Sequence, residues 1–102
     1  NGTGVLIETE GGAYVEAVRS GFVISVGNQE KLGKTVGIEH YDGSESWYGM
    51  LSEIEVKLYD HVDVGQPVGK VATNEETGKG IFYFSLKKGD DYINPNDVID
   101  FE

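Results

Sequence analysis

The sequence of 102 residues contains no cysteine, and it has only one methionine and two prolines. The absence of cysteine excludes disulfides, thiolate nucleophiles and thiolate metal ligands, although it says little about the compartment. Long apolar runs are also missing. No segment approaches the roughly 20 apolar residues that cross a bilayer, and no signal-peptide pattern occurs. We therefore expect any membrane anchor to lie outside this sequence.

Positive charge is scarce along the whole chain. Eight lysines and arginines stand against 18 aspartates and glutamates, so the formal net charge is −10. Such a field repels phosphate backbones and anionic lipid surfaces, which argues against nucleic acids and lipid headgroups as partners. The scattered acids form either a solubilising surface or a docking face for a basic partner.

Catalytic motifs are missing as well. No serine lies in a Gly-x-Ser-x-Gly elbow, and the chain has neither a phosphate loop nor a dinucleotide-binding fingerprint. The carboxylate pairs Glu75-Glu76 and Asp90-Asp91 fall in glycine-rich loops, where we expect them to be solvated. His40 and His61 have no second histidine at metal-ligand spacing, so we interpret both as turn residues. On their own, these residues predict a fold without a visible catalyst.

The sequence is rich in β-strand patterns and in glycine. Short segments dense in Val, Ile, Tyr and Phe alternate with turn residues, which is typical of half-buried strands. Fifteen glycines, several of them inside these segments, predict bulges or sharply coiled strands. The predicted fold class is therefore all-β, with one or more compact, strongly coiled antiparallel sheets and almost no helix. The predicted strands are residues 4–9, 14–21, 22–27, 34–40, 46–51, 53–58, 67–73 and 81–87.

Turn signals and chain length complete the outline of the fold. Asp42-Gly43 predicts a tight hairpin turn of the primed type, because Asp-Gly readily adopts positive φ angles. Only two short turns, at residues 52–55 and 96–98, come near to helical structure. We expect a single domain over residues 1–102. The chain begins with Asn1 rather than methionine, so we expect it to be a fragment of a longer, membrane-anchored protein.

Several stretches occur in an order that resembles one known family. The segment VDVGQPVGKV (residues 62–71) and the pair Asn94-Pro95 match motifs of the LytM or M23 family of zinc endopeptidases. IEHYDG (residues 38–43) carries that family's usual histidine before a turn, which is not a metal ligand. The resemblance runs nearly from end to end, and it implies the antiparallel sheet of the LytM/M23 type, similar to a duplicated hybrid motif.

The resemblance fails at the family's zinc and catalytic positions. The His-x-Gly-x-Asp motif corresponds to residues 2–6, which puts Gly2 and Leu6 at the first two ligand positions. Met50 stands where a catalytic histidine is found. The His-x-His motif corresponds to Ile81 and Tyr83, which replace the second catalytic histidine and the third ligand. These side chains do not suit zinc, and without zinc no water is activated. The resemblance thus implies no metal, no cofactor and no enzymatic activity.

The last strand predicts what has become of the metal site. Side chains alternate along a strand, so Ile81 and Tyr83 should occupy the former metal side while Phe82 and Phe84 face the core. Apolar residues at vacated ligand positions avoid unpaired buried polar groups, which cost roughly 1–3 kcal/mol each. These side chains either simply pack together or line an apolar groove that seats a partner segment. The candidate groove residues are Leu6, Tyr48, Met50, Ile81 and Tyr83.

Among degenerate members of the family, the pattern GKGIFYFSLKKGDDYINP (residues 78–95) looks like a membrane-anchored sporulation protein of spore-forming bacilli. That resemblance implies a regulatory domain in the intermembrane space, attached to the forespore outer membrane. The implied partners are the intramembrane protease stage IV sporulation protein FB, bypass-of-forespore protein A and stage II sporulation protein Q. The domain would hold this protease inhibited until signalling serine proteases cut an exposed, poorly hydrogen-bonded segment, and it would thereby time pro-sigma-K processing.

Three other interpretations remain open from the sequence. The domain could bind peptidoglycan or cell-wall peptides without cutting them. It could be a zinc endopeptidase with unorthodox ligands such as His40 and His61. VDVGQPVGKV also resembles a hairpin of biotinyl and lipoyl carrier domains, although the modifiable lysine on a Met-Lys-Met-like turn is missing.

Overall fold

A computed structural model describes residues 4–94, and these residues form ten β-strands without a helix. The all-β prediction is confirmed. Within this part of the chain, no helix is long and apolar enough to cross a membrane. The strands are β1 Val5–Glu10, β2 Tyr14–Glu16, β3 Gly21–Gln29, β4 Gly33–His40, β5 Ser44–Leu51, β6 Glu53–Ile54, β7 His61–Val62, β8 Pro67–Lys70, β9 Lys79–Lys88 and β10 Asp91–Ile93.

The strands form two antiparallel sheets. The large sheet has the order β1-β9-β5-β4-β3-β7, and the small sheet has the order β2-β8-β6. β5 pairs with one edge of β9, while β1 and β10 share the other edge end to end. Val5 lies opposite Phe84 and Ile93 lies opposite Leu86, so the outer ends of β1 and β10 pair with residues only two apart on β9.

The core is one cluster to which both sheets contribute. Its largest side chains come from the inner face of the large sheet, where Tyr48, Phe84 and Leu86 are almost completely buried. The small sheet adds Val15 and Val68. Burial of one large apolar side chain stabilises a fold by about 1.5–3 kcal/mol, so this cluster is the main source of stability.

A bulge interrupts the pairing of β4 with β5. Lys34 pairs with Leu51 and Val36 pairs with Tyr48, so three steps along β5 match two steps along β4. The extra residue allows Met50 to adopt a positive φ of 63°, which non-glycine residues rarely adopt. After the bulge, the side chains of β5 have exchanged faces relative to a regular strand. The glycine-rich strands therefore do contain a bulge, as their sequence predicts.

The hairpin between β4 and β5 differs from its prediction. The connection is residues 41–43, with the amide of Gly43 donating to the carbonyl of His40. Gly43 has a φ of 86°, but Asp42 has no positive φ. This is the longer hairpin loop with glycine in the left-handed region rather than a two-residue primed turn. Asp42 instead accepts hydrogen bonds from the amide and the hydroxyl of Ser44, which fixes the turn from its side chain.

Strand boundaries differ where a segment passes between sheets. The predicted strand 14–21 is split, because residues 14–16 pair in the small sheet and Gly21 begins β3 of the large sheet. The predicted strand 53–58 keeps only two paired residues, Glu53 and Ile54. β7 and β10 were not predicted, since short polar segments show no apolar alternation. The predicted turn at residues 96–98 lies outside the described part of the chain.

Candidate functional site

The predicted groove residues of β1 and β9 lie together on the outer face of the large sheet. Leu6 is directly opposite Tyr83, and Glu8 is directly opposite Ile81. Residues opposite each other in an antiparallel pair project from the same face of the sheet. Leu6 and Ile81 are 60% and 41% exposed, and Tyr83 is half-buried, while Phe84 is fully buried. The predicted orientation of the last strand is confirmed.

Met50 and Ile81 line an open cavity of about 440 Å³. The bulge at Met50 brings its side chain to the outer face, where it is 39% exposed. Glu8 and Lys79 also line it, and the ammonium group of Lys79 forms an ion pair with Glu10 at 2.8 Å. The rest of the wall comes from Gly80 of β9 and from the loop before β9, through residues 72–74 and 77. The cavity thus combines apolar side chains with polar groups of both signs, which suits a short peptide segment.

Tyr83 lines a second, smaller cavity of about 230 Å³. Leu32, Trp47 and Tyr92 contribute further hydrophobic side chains to it. Leu6 lines neither cavity and lies next to Tyr83 on the edge strand. We call Leu6, Met50, Ile81 and Tyr83 together the apolar cleft. Gly2, the remaining residue at a family ligand position, lies outside the described residues.

Tyr48 does not line the apolar cleft, so this part of the groove prediction is wrong. Its side chain is fully buried, and its ring lies edge-on to Phe84 with 5.4 Å between ring centroids. A regular strand would place Tyr48 and Met50 on one face, because they are two residues apart. The bulge breaks this alternation, so Met50 faces the cleft and Tyr48 faces the core.

His40 belongs to a buried chain of hydrogen bonds rather than to a surface turn. Its Nδ1 lies 2.9 Å from the carbonyl oxygen of Ser20, so Nδ1 carries a proton and donates. Its Nε2 therefore accepts from the Ser46 hydroxyl at 2.8 Å. Ser46 in turn accepts from the Tyr48 hydroxyl at 2.7 Å, and Tyr48 accepts from the amide of Val18 at 3.1 Å. A backbone donor and a backbone acceptor at the two ends fix the direction of every bond.

The chain of hydrogen bonds stabilises neutral forms of its titratable members. Burial lowers the pKa of His40, an effect that the hydrogen bond to the Ser20 carbonyl partly opposes. Burial also raises the pKa of Tyr48 to about 12, so its hydroxyl remains a donor. Neutral His40 has both ring nitrogens occupied by protein groups, and it is not available as a metal ligand in this arrangement.

His61 lies on the surface, in contact with other aromatic rings. Its Nε2 lies 3.1 Å from the Tyr41 hydroxyl, and its Nδ1 lies 3.8 Å from a carboxylate oxygen of Asp63. Across residues 4–94, no group of three or more His, Cys, Asp or Glu side chains could hold a metal ion. His40 and His61 are thus not brought together with acids into the site that an unorthodox zinc enzyme would need.

The side chains of the apolar cleft do not fit a zinc ion. Leu6 and Ile81 have no donor atom, Met50 offers only a thioether and Tyr83 only a phenol. Zinc in a hydrolytic site takes three imidazole, carboxylate or thiolate ligands around an open position. The cleft therefore lacks the donor chemistry of a zinc site.

The loop that forms one wall of the first cavity is an ordered turn. The side-chain carbonyl of Asn74 accepts hydrogen bonds from the amides of Glu76 and Thr77, and its main-chain carbonyl accepts from Gly78. Residues 74–78 are exposed, but they are not the poorly hydrogen-bonded segment that a protease would favour.

This fold of two antiparallel sheets is also the fold of solved M23-family structures. The model of peptidase family M23 matches residues 1–95, and the chain belongs to that family. The LytM/M23 fold inferred from the sequence is thereby confirmed.

Two relatives in Bacillus subtilis strain 168 are sporulation proteins. The chain is 38% identical to stage IV sporulation protein FA over all 102 residues. It is 33% identical to stage II sporulation protein Q in an alignment that covers 93% of the chain. The chain spans only 38% and 35% of the lengths of these two relatives.

Solved structures of the fold include both a catalytic domain and a protein complex. A mutant of the catalytic domain of the prophage-encoded M23 protein EnpA from Enterococcus faecalis has a TM-score of 0.77 at 31% identity. That match covers 92% of this chain and 75% of the other. A chain in the crystal structure of the SpoIIIAH and SpoIIQ complex has a TM-score of 0.73 at 32% identity, covering 84% and 62%. The same fold therefore occurs in a peptidase and in a protein assembly.

Proposed function

We propose that this chain is a non-catalytic regulatory domain that acts in sporulation by holding protein partners. The observation that carries the proposal is the apolar cleft, where Leu6, Met50 and Ile81 are exposed to solvent. In this proposal they replace the residues of the family's zinc chemistry. The similarity to two sporulation proteins supports the biological setting. The presence of SpoIIQ in a complex with SpoIIIAH supports a protein-binding use of the fold.

We propose specific partners as well, and the similarity to stage IV sporulation protein FA supports the choice. In this proposal the longer protein lies in the forespore outer membrane, and the domain lies in the intermembrane space. It holds stage IV sporulation protein FB inhibited together with bypass-of-forespore protein A. Cleavage by signalling serine proteases ends the inhibition and times pro-sigma-K processing. Stage II sporulation protein Q is a further candidate partner, and it carries a related domain.

The cleft has the physical properties that a peptide-binding surface needs. Apolar side chains that remain exposed gain free energy when a partner covers them, at about 25 cal/mol per Å² of apolar surface. Methionine adapts its shape to different partners because its side chain is unbranched and flexible. Glu8 in the lining can orient a partner's amide groups or positively charged side chains, whereas the ammonium group of Lys79 is already paired with Glu10. Binding here requires no metal and no chemical step.

The proposal is tested by charge substitutions within the cleft of the full-length protein. Met50→Lys and Ile81→Lys should each reduce co-purification of stage IV sporulation protein FB from sporulating cells by about tenfold or more, since an apolar contact does not accommodate an unpaired charge. Leu58→Lys is the matched control, because Leu58 is 41% exposed, as is Ile81. Melting temperatures should agree among all variants, since each altered side chain is exposed.

Three results would contradict the proposal. Undiminished capture by both cleft variants would show that the cleft is not the docking surface. Saturable binding of peptidoglycan fragments, lost in the same variants while protein capture is kept, would assign the cleft to the cell wall. Stoichiometric zinc together with hydrolysis of wall peptides would restore the enzymatic interpretation.

A further inference from the structure

A row of side chains crosses the outer face of the large sheet away from the apolar cleft. Glu45 on β5 is directly opposite Glu39 on β4, Glu39 is opposite Phe22 on β3, and Phe22 is opposite His61 on β7. Direct cross-strand neighbours share a face, so these four side chains form one continuous row over four strands. On β9 the residue opposite Glu45 is Lys87, which lies four residues, or about 13 Å, from Tyr83 of the apolar cleft.

One end of the row is an aromatic cluster that is ordered but not buried. The ring of Phe22 lies edge-on to His61 with centroids 5.1 Å apart, and edge-on to Tyr41 with centroids 6.0 Å apart. The hydroxyl of Tyr41 reaches Nε2 of His61 at 3.1 Å. Phe22 is 46% exposed and Tyr41 is 72% exposed. These contacts fix the rings in place while their faces remain open to solvent.

The other end of the row holds two carboxylates in an unfavourable arrangement. Like charges directly opposite each other on neighbouring strands destabilise a sheet. Glu45 accepts a hydrogen bond from the Trp47 indole at 3.1 Å, but no ion pair reaches Glu39 or Glu45 within residues 4–94. Lys87 is opposite Glu45, yet its ammonium group lies over the ring of Tyr92, 5.8 Å from the centroid. A cation supplied from outside would relieve this repulsion.

We propose that Phe22, Glu39, Tyr41, Glu45 and His61, here called the acidic–aromatic face, bind an arginine-containing segment of a partner protein. A guanidinium group is planar, donates to carboxylates in pairs and stacks on aromatic rings, so arginine side chains suit both the carboxylates and the rings of the row. The net charge of −10 attracts a basic segment over longer distances. A second copy of the chain carries the same negative charge, and an anionic membrane is repelled as well.

This proposal is independent of the role of the apolar cleft, because the two surfaces share no residue. A partner that fills the cleft and a basic segment on the acidic–aromatic face can bind together or separately. The cleft variants therefore test the cleft alone. The acidic–aromatic face has its own test.

The test uses the ¹⁵N-labelled chain and two synthetic peptides, acetyl-Arg-Leu-Arg-Leu-Arg-amide and its lysine analogue. The arginine peptide should cause saturable shifts of the amides of Phe22, Glu39 and His61, and it should leave Met50 and Ile81 unaffected. The lysine peptide should bind about two- to fivefold more weakly, because an ammonium group does not pair in a bidentate way and stacks less well on rings. Added salt should weaken both peptides.

Variants distinguish binding at the acidic–aromatic face from a general attraction of the peptide to the negative charge of the chain. Glu39→Gln and Phe22→Ala should each weaken the arginine peptide about two- to fivefold, which corresponds to the range of exposed ion pairs and cation–π contacts. Glu53→Gln is the matched control, since it removes the same charge from an exposed residue of the small sheet. The affinity of Glu53→Gln for the arginine peptide should equal the wild-type value within experimental error.

Three outcomes would overturn the proposal. Shifts of equal size around Glu53, Glu75 and Glu76 would mean that the peptide follows charge alone. An equal loss of affinity in Glu53→Gln and Glu39→Gln would mean the same. A dimer in sedimentation equilibrium that Phe22→Ala dissociates would assign the face to a second copy of the chain.

Discussion

The ring of Tyr83 lies over Gly4 so closely that a Cβ atom built on Gly4 would come within 2.5 Å of two ring carbons and of the hydroxyl oxygen. Gly4, which directly precedes the edge strand β1, thus packs against the aromatic side chain of the cleft. A Cβ atom on Gly21 would instead meet the carbonyl oxygen of Glu39, which is part of the neighbouring strand's backbone. A side chain at Gly4 would therefore collide with another side chain, whereas a side chain at Gly21 would collide with the backbone.

The first prediction compares these two glycines. Gly4→Ala should cost less than about 1 kcal/mol of unfolding free energy, because the far end of a tyrosine side chain can rotate away. Gly21→Ala should cost about 2 kcal/mol or more, because the backbone of β4 cannot move without breaking its pairs. Urea unfolding measures both values. Ring-proton shifts of Tyr83 should change in Gly4→Ala alone, and similar stability losses in both variants would contradict this account.

The second prediction concerns the backbone at Met50. Met50→Gly should be more stable than Met50→Ala by about 1 kcal/mol, because a positive φ penalises every residue with a Cβ atom. At Glu53, an exposed strand residue without a positive φ, the order should reverse, and glycine should be less stable than alanine by about 0.5–1 kcal/mol. Thermal or urea unfolding of the four variants provides the measurement. An unchanged order at the two positions would show that φ at Met50 is not strained.

The third prediction concerns the hydroxyl of Tyr48. Tyr48→Phe should destabilise the protein by about 1–3 kcal/mol, because the Val18 amide loses its acceptor and Ser46 loses its donor in a buried site. Tyr59→Phe is the control, since Tyr59 is 77% exposed, and it should change stability by less than about 0.5 kcal/mol. Partner capture through the apolar cleft should be unaffected by Tyr48→Phe. A large loss of capture without a loss of stability would return Tyr48 to the cleft.

The fourth prediction is a pH dependence from His40. Burial lowers its folded-state pKa below the ordinary value of 6.5, so the unfolded chain takes up this proton at a higher pH than the folded one. Stability from His40 is therefore complete above pH 6.5 and is lost as the pH falls from 6.5 towards the folded-state pKa. The slope approaches about 1.4 kcal/mol per pH unit for one proton. Nearby Arg19 and Asp42 act in opposite directions on the same group.

Urea unfolding from pH 7.5 to 4.5 measures this slope. His40→Asn, which does not titrate, should lose this component of the pH dependence while being less stable at neutral pH. A wild-type slope that persists unchanged in His40→Asn would assign the effect to other groups. Asp42 contributes in a lower range, because its hydrogen bonds from Ser44 lower its pKa from 3.8 to about 2. Its contribution is lost only as the pH falls from 3.8 towards 2, so the two effects are separable.

The sequence predicts the long strands well because the order of apolar and polar side chains along a strand indicates which of them face the core. In β9, alternation places Phe82 and Phe84 inward and Ile81 and Tyr83 outward, and the structure agrees. Short strands such as β7 and β10 form because a neighbouring strand offers hydrogen-bond partners, which no local pattern reveals. The same limit applies to the loop of residues 72–74 and 77, which forms a wall of the cavity and carries no apolar signal.

The candidate site was predicted in part. Leu6, Ile81 and Tyr83 lie on the expected face, and Met50 joins them because of a bulge that also turns Tyr48 inward. Period-two alternation alone could not separate Met50 from Tyr48. His40 was expected to be an ordinary turn residue, and its buried hydrogen bonds depend on Ser20 and Tyr48, which approach it only in the folded chain. The acidic–aromatic face likewise requires the strand register, because its members are distant in sequence.

The sharing of one edge of β9 by β1 and β10 has a mechanical consequence. The first pair of β1 and the last pair of β10 fall two residues apart on β9, so tension applied between the two ends acts at one spot, within about 7 Å. Each strand would separate from β9 one hydrogen-bonded pair at a time, rather than by shear that breaks all its pairs together. Any membrane or partner that pulls on both flanks would thus open the sheet first beside Phe84 and Leu86, at low force.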